Sequence, residues 1–198
     1  MTPDHATYSP LQLDALRELA NVGAGNATIS LERLIGKPIG LDLPQVELLA
    51  LDEAIERAGP PEAERYGIVV PAHGDFEALV LLLIDPRGAA VLYGAFGLAR
   101  DSDESYSMLA ELGNILASAY LGSLGRFSGM DLAPSPPQLV VDMLAAILAT
   151  VLLGDGVDSD RVLFCDSQLS VEGERCNVEM LLIPEAGAVG TLIEHLGV

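Results

Sequence analysis

The sequence predicts an α+β protein: one domain of 198 residues, made of two copies of a helix-and-hairpin unit and joined as a mostly antiparallel sheet packed by helices. Three observations predict this. A polar helical pattern near the start returns 93 residues later, the elements around it return in the same order, and the strand-like runs come as two hairpin pairs with helical text between them.

The repeated pattern is Asp14, Glu18 and Asn21 in the first half and Ser107, Glu111 and Asn114 in the second. A proline stands 23 residues after each asparagine, at Pro44 and Pro137, so four positions match at one offset and chance explains them poorly. On a helix that turns about 100° per residue, each trio falls in a stripe roughly 60° wide. Leu16, Leu19 and Ala20 lie on the other side of the first helix, as do Leu109, Leu112 and Leu116 on the second. Each helix therefore has an apolar back for a core and a polar front for water or a partner.

Taken in order, Pro10 suits the first position of a helix that runs to about Ile35 and stops at Gly36, Lys37 and Pro38. Gly23 and Gly25 inside it each cost about 1 kcal/mol relative to alanine. Close packing of another element against a bare face is the expected compensation, with local flexibility the alternative. A phosphate-binding loop is the competing reading of GAGN, but no strand precedes it and no G-K-[ST] follows.

Residues 39–49 read as a short β-like stretch interrupted by Pro44, and residues 51–58 as an acidic helix. After the break at Gly59, Pro60 and Pro61 come strands at 66–71 and 76–84, turned at His73, Gly74 and Asp75. FEALVLLLI is apolar on both faces and belongs at the centre of its sheet. A helix at 88–98 closes the first repeat.

The charged residues 100–104 divide repeats of about 8–100 and 101–198. The second holds a helix at 102–124, a proline segment at 133–137, a long apolar helix at 139–153, strands at 161–171 and 175–183 turned at Glu172 and Gly173, and a last helix at 186–197. Residues 139–153 include Asp142 and fall short of the roughly 20 residues a membrane-spanning helix needs. Ile183-Pro184 stands 98 residues after Asp85-Pro86, so a few residues are inserted in the second copy.

Half the residues are apolar, enough for a substantial core without staples. A net charge of −19 argues against binding nucleic acid or anionic lipid and favours a cationic patch on a partner, while the shortness of residues 139–153 leaves no membrane insertion expected. Nine of the ten basic residues are arginine, a balance shared by proteins from high-salt sources and by any well-solvated acidic surface. Residues 1–10 lack the apolar core of a secretory leader, which points to the cytosol. Cys165 and Cys176 sit in strand-like text without metal-site spacing and read as reduced, packed thiols. His5, His73 and His195 adjoin no acidic or cysteine cluster, so no metal set is legible.

A carboxylate and an amide one helical turn apart offer an acceptor and a mixed donor and acceptor to the same incoming surface. The amide does not titrate and cannot be a general base. It can hold a water in line for attack on a phosphoryl group, leaving the metal and the scissile bond on the partner.

These residues resemble the signature of the CheC/CheX/FliY family of chemotaxis phosphatases: an acidic residue or serine, then Glu, then Asn, then a distant Pro. ELANVGAGNAT and ELGNILASAYL look like the two site helices of the CheC type, and the similarity covers nearly the whole chain. The resemblance implies a CheC-like α+β fold with two exposed signature helices and pseudo-twofold symmetry. It implies hydrolysis of the aspartyl phosphate of the response regulator CheY, whose receiver domain brings its own Mg²⁺ and a lysine, so that this chain binds no cofactor itself. Asn21 and Asn114 would orient the water, and Glu18 and Glu111 would pair with the receiver lysine. Asp14 and Ser107 would make polar contacts, and Pro44 and Pro137 would shape the adjoining loops.

A lone mid-helix Glu or Asn is ordinarily a solvated surface residue; repetition with the proline is what lifts these above it. Asn26 also lies near the stripe, but its counterpart is Ala119, which favours a structural role or a minor interface contact. Two other roles stay open: a non-catalytic module that binds phosphorylated CheY, like the related FliM middle domain in the flagellar switch, and an adaptor for the receptor deamidase CheD. Which of the two sites dominates is not legible.

Overall fold

The computed structural model describes residues 9–42, 45–152, 161–185 and 188–195. Helix α1 (Pro10–Ile35) begins at Ser9, whose hydroxyl accepts from the Gln12 amide while the Gln12 side chain accepts from the Ser9 amide. It ends at Gly36, whose φ of 70° is the left-handed turn that glycine adopts without strain. Strands β1 (Ile39–Leu41) and β2 (Gln45–Ala50), helix α2 (Leu51–Ala58), strands β3 (Glu64–Gly74) and β4 (Ala78–Ile84) and helix α3 (Pro86–Phe96) follow. The order then recurs as α4 (Asp103–Ser128), β5 (Leu132–Pro134), β6 (Gln138–Met143), α5 (Leu144–Leu152), β7 (Arg161–Val171), β8 (Glu174–Pro184) and α6 (Ala188–His195).

The first residues of α1, β1, β2 and α2 return 93 positions later as those of α4, β5, β6 and α5, and β3 and β7 begin 97 apart. In the hairpins Tyr66 pairs with Ile84 and Leu163 with Leu182, which carries the offset to 98 on the last strands. Pro86 and Pro184 are separated by that same 98, yet Pro86 opens a helix while Pro184 closes β8.

All eight strands form one sheet in the order β1-β7-β8-β4-β3-β5, with β2 also on β7 and β6 also on β3. Every pairing among the described residues is antiparallel. The hairpins join at the centre, where β4 runs against β8 from Ala78 opposite Pro184 to Ile84 opposite Val178. β4 is buried on both faces, as its unbroken apolar run requires. Val80, Leu82 and Ile84 enter a core with α1, α3, α4 and α6, while Leu81 and Leu83 enter a second core with α2 and α5. The period of two along the strand makes this a three-layer molecule.

Residues 139–153 are the main departure from expectation. Gln138–Met143 is strand β6 and only Leu144–Leu152 is helical. Leu139, Val140 and Val141 pair with Ile68, Gly67 and Tyr66, occupying the edge of β3 that a helix would leave open. A short apolar run does not by itself distinguish strand from buried helix. Residues 39–49, read as one interrupted stretch, are two separate strands on β7. β3 runs on through His73 and Gly74 because β5 pairs with Ala72–Gly74, so the turn falls at 75–77. α4 extends past residue 124 to Ser128, and α6 occupies 188–195 of the expected 186–197, the rest of which lies outside the described residues. The two cysteines are free and buried, and burial pushes both thiols up to about 12. Among the described residues no helix is long and apolar enough to cross a membrane.

Glu179 of β8 is out of keeping with its surroundings. It faces the α2/α5 side between Leu83 and Asp166, and its Oε2 is buried without a hydrogen-bond partner among the described residues. Burial pushes its carboxyl up to about 7, Asp166 and Asp85 add to the rise, and Arg65 opposes it. The folded state therefore prefers the protonated acid. Its contribution is complete below the ordinary carboxylate range and is lost as pH rises through about 7. Glu179→Gln should consequently be more stable than the parent at about pH 8, with the gap closing by about pH 4, as read from urea midpoints. A gap independent of pH would contradict this.

Candidate functional site

α1 and α4 lie side by side on one face of the sheet. Leu16, Leu19, Ala20, Ala24, Ala27 and Leu31 anchor α1 in the core, and Leu109, Leu112, Leu116, Ala117, Leu121 and Leu124 anchor α4. α4 starts at Ser102, whose hydroxyl accepts from the Ser105 amide while Ser105 Oγ accepts from the Ser102 amide. The preceding Asp101 sits at a φ of 56°, unusual for a residue with a side chain. It is held there by the Tyr66 hydroxyl, which donates to Asp101 Oδ1 at 2.7 Å, and by Arg100 Nε, which donates to Oδ2 at 3.1 Å.

With the apolar backs fixed, the polar fronts turn outward. Asp14, Glu18, Ser107 and Glu111 are exposed, and Asn21 and Asn114 are half-buried at the base of their stripes. Among the described residues, no side chain of the two glutamates and two asparagines makes an intrachain hydrogen bond or ion pair. Their polar atoms are thus available to an incoming surface. Ser107 differs: its hydroxyl donates to the Asp103 carbonyl at 2.8 Å, back-bonding to its own helix. Pro137 is half-buried between β5 and β6. Pro44 lies outside the described residues.

The seam between the helices accounts for one of the two glycines. A Cβ on Gly23 would stand 3.0 Å from Tyr120 Cδ1, so the bare face is where α4 closes on α1. Around Gly25 nothing lies within 4 Å, and the packing explanation does not extend to it. Asn26, near the stripe but not of it, donates through Nδ2 to Ser123 Oγ at 3.3 Å, tying the two helices together. Beside Asn114 an open groove of about 300 Å³ is lined by Asn26, Ser30, Ser118, Gly122 and Arg126 as well as Asn114. Ser118, Gly122 and Arg126 were not singled out from the sequence. Their spacing of four from Asn114 carries the signal, visible once the helix is known to run past residue 124. Among the described residues no three His, Cys, Asp or Glu side chains converge as a metal set.

The fold is that of the flagellar-switch and chemotaxis proteins FliY, FliM and CheX. The crystal structure of Thermotoga maritima FliY matches with a TM-score of 0.76 at 18% identity, covering 96% of this chain and 98% of that one. The FliM middle domain of H. pylori matches at 0.68 and 11%, covering 95% and 99%. No family model matches the chain. In sequence it is 25% identical over 197 residues to the CheY-P phosphatase CheC of Bacillus subtilis, covering 94% of each. It is 24% identical over 135 residues to the putative CheY-P phosphatase CheC1 of Halobacterium salinarum, covering 65% of this chain and 68% of the relative. In sequence and in fold the chain is therefore similar to the CheC-type chemotaxis proteins.

The glycines supply a check on the seam. Gly23→Leu should destabilise by about 1–3 kcal/mol, because Tyr120 cannot retreat from a packed core. Gly25→Ala should be neutral or stabilising by up to about 1 kcal/mol. Thermal or urea unfolding of the two variants reads both, and equal losses would contradict the placement of the seam.

Proposed function

We propose that the chain hydrolyses the aspartyl phosphate of phosphorylated CheY. The observation that carries this reading is the pair of stripes: twice, an exposed Glu and an unpartnered Asn share the outward side of a helix whose back is locked in the core. The B. subtilis relative named a CheY-P phosphatase supports the choice of substrate. Asn21 and Asn114 each enter a receiver site, where the carboxamide accepts from or donates to a water and aligns it with the phosphorus. Glu18 and Glu111 each pair with the receiver's lysine, a charge-assisted contact that fixes register. Mg²⁺ comes with the receiver and neutralises charge on the phosphoryl oxygens. Asp14 adds a polar contact at the rim, and Ser107, engaged with its own helix, adds less.

Replacing Asn21 and Asn114 by alanine together should slow phosphate loss from purified phosphorylated CheY by about 100-fold, while circular dichroism stays unchanged. Each single variant should keep the share of the other site. A folded double variant that works at the parent rate would refute the proposal. The FliM-type fold leaves a second reading, in which the chain binds phosphorylated CheY without shortening its lifetime, and a role as an adaptor for CheD is compatible with either. The same assay separates them, since a binder leaves the decay of phosphorylated CheY unchanged with or without CheD.

A further inference from the structure

The two stripes are not chemically equivalent beyond their asparagines. Past Asn114, α4 presents Ser118, Gly122 and Arg126; at the matching positions past Asn21, α1 presents Gly25, Ile29 and Arg33. Gly122 has no side chain where α1 carries Ile29, a branched side chain 53% exposed. The α4 side is thereby left with the open groove of about 300 Å³.

The lining of that groove is unusual for this molecule. The chain carries 29 acidic residues against 10 basic ones, yet no carboxylate lines the groove. Its polar groups are the amides of Asn26 and Asn114, the hydroxyls of Ser30 and Ser118, and the guanidinium of Arg126. Ser30 donates to the Asn26 carbonyl and Asn26 donates to Ser123, which holds the α1 wall in place. Arg126, in the last turn of α4 where a cation suits the helix dipole, makes no ion pair or hydrogen bond among the described residues. A cation and several neutral donors around an open space, without an acid to neutralise them, suit an oxyanion.

We propose that this groove receives an acidic side chain of the receiver docked on Glu111 and Asn114, so that Arg126 and Gly122 set which partner the α4 site prefers. The inference rests on the reading of Asn114 as a partner-facing residue. The groove continues the same stripe: Asn114, Ser118, Gly122 and Arg126 follow one another at successive turns and line one groove, so a partner seated on Asn114 that extends toward the end of α4 meets Arg126. On α1 the exposed Ile29 stands where α4 has Gly122, so Arg33, at the position matching Arg126, has no such groove before it.

The test uses the Asn21→Ala background, in which turnover of phosphorylated CheY runs through α4. Arg126→Ala should raise KM about threefold and Arg126→Glu about tenfold, with kcat unchanged. Gly122→Ile should raise KM as well, by filling the groove; an added Cβ there meets nothing within 4 Å, so the helix tolerates it. In the Asn114→Ala background, where α1 does the work, Arg126→Glu should leave KM unchanged. An unchanged KM in the first background, or an equal rise in both, overturns the proposal. Binding of inorganic phosphate that Arg126→Glu abolishes, with the KM for phosphorylated CheY unmoved by either the ion or the substitution, would assign the groove to the free ion and overturn it too. If Asn21→Ala combined with Asn114→Ala stays fully active, the asparagine reading fails first; if that pair is inactive while Arg126→Glu has no effect, only the groove assignment falls.

Discussion

The pairing of β4 with β8 is the constraint from which the rest of the arrangement follows. Because the two hairpins meet edge to edge along Ala78–Ile84 and Val178–Pro184, the halves share one sheet, and their equivalent helices fall on the same face, α1 with α4 and α2 with α5. The long helix of each half is pressed onto the same side, where α1 and α4 meet through Gly23, Tyr120, Asn26 and Ser123. The orientation of both polar stripes is then settled by the apolar residues behind them. No hydrogen bond needs to hold Glu18, Asn21, Glu111 or Asn114 in place; the rotation of each helix does so. This suits residues whose proposed partners are on another molecule, since a side chain already engaged would have to break a contact in order to bind.

The same constraint shapes the chemistry open to the site. A surface stripe on a rigid helix cannot enclose a substrate, exclude water or gather a metal set by itself. It can insert one amide into a cleft that another protein supplies. An acidic protein with a net charge of −19 gains from a partner that presents a lysine and a bound cation, and long-range attraction would speed their encounter at low salt. Under the proposed function, water positioning by an untitratable amide would fit that division of labour: the pH dependence, the metal and the scissile bond would stay with the receiver, while the helix would contribute geometry.

Much of this was legible in the sequence, for identifiable reasons. α1 and α2 have the expected ends because Pro10, Gly36, Gly59 and Pro60 are strong local punctuation. The central place of β4 followed from apolarity on both faces. The outward stripes followed from helical spacing and their recurrence at 93 residues. What escaped depends on contacts distant in sequence. Leu139–Met143 became a strand because β3 had an open edge, and nothing in the segment itself states that. Gly23 and Gly25 look alike in sequence, yet one meets Tyr120 and the other faces open space. The groove beside Asn114 needs both helices to form, so no single stretch announces it. Glu179, a carboxyl among apolar residues, carries no local sign of its burial. Pro44, half of the proline match, lies outside the described residues.

The most direct measurement is the side-chain amide resonances of Asn21 and Asn114 as CheY held in a phosphoryl-like state is added to the labelled protein. Both should shift and broaden with saturation, while the amide of Asn177, exposed on β8 and bonded to Gln168, stays where it is. Saturable binding that moves Asn177 or other distant groups, with Asn21 and Asn114 unchanged, would contradict the claim that the paired stripes are where the partner docks.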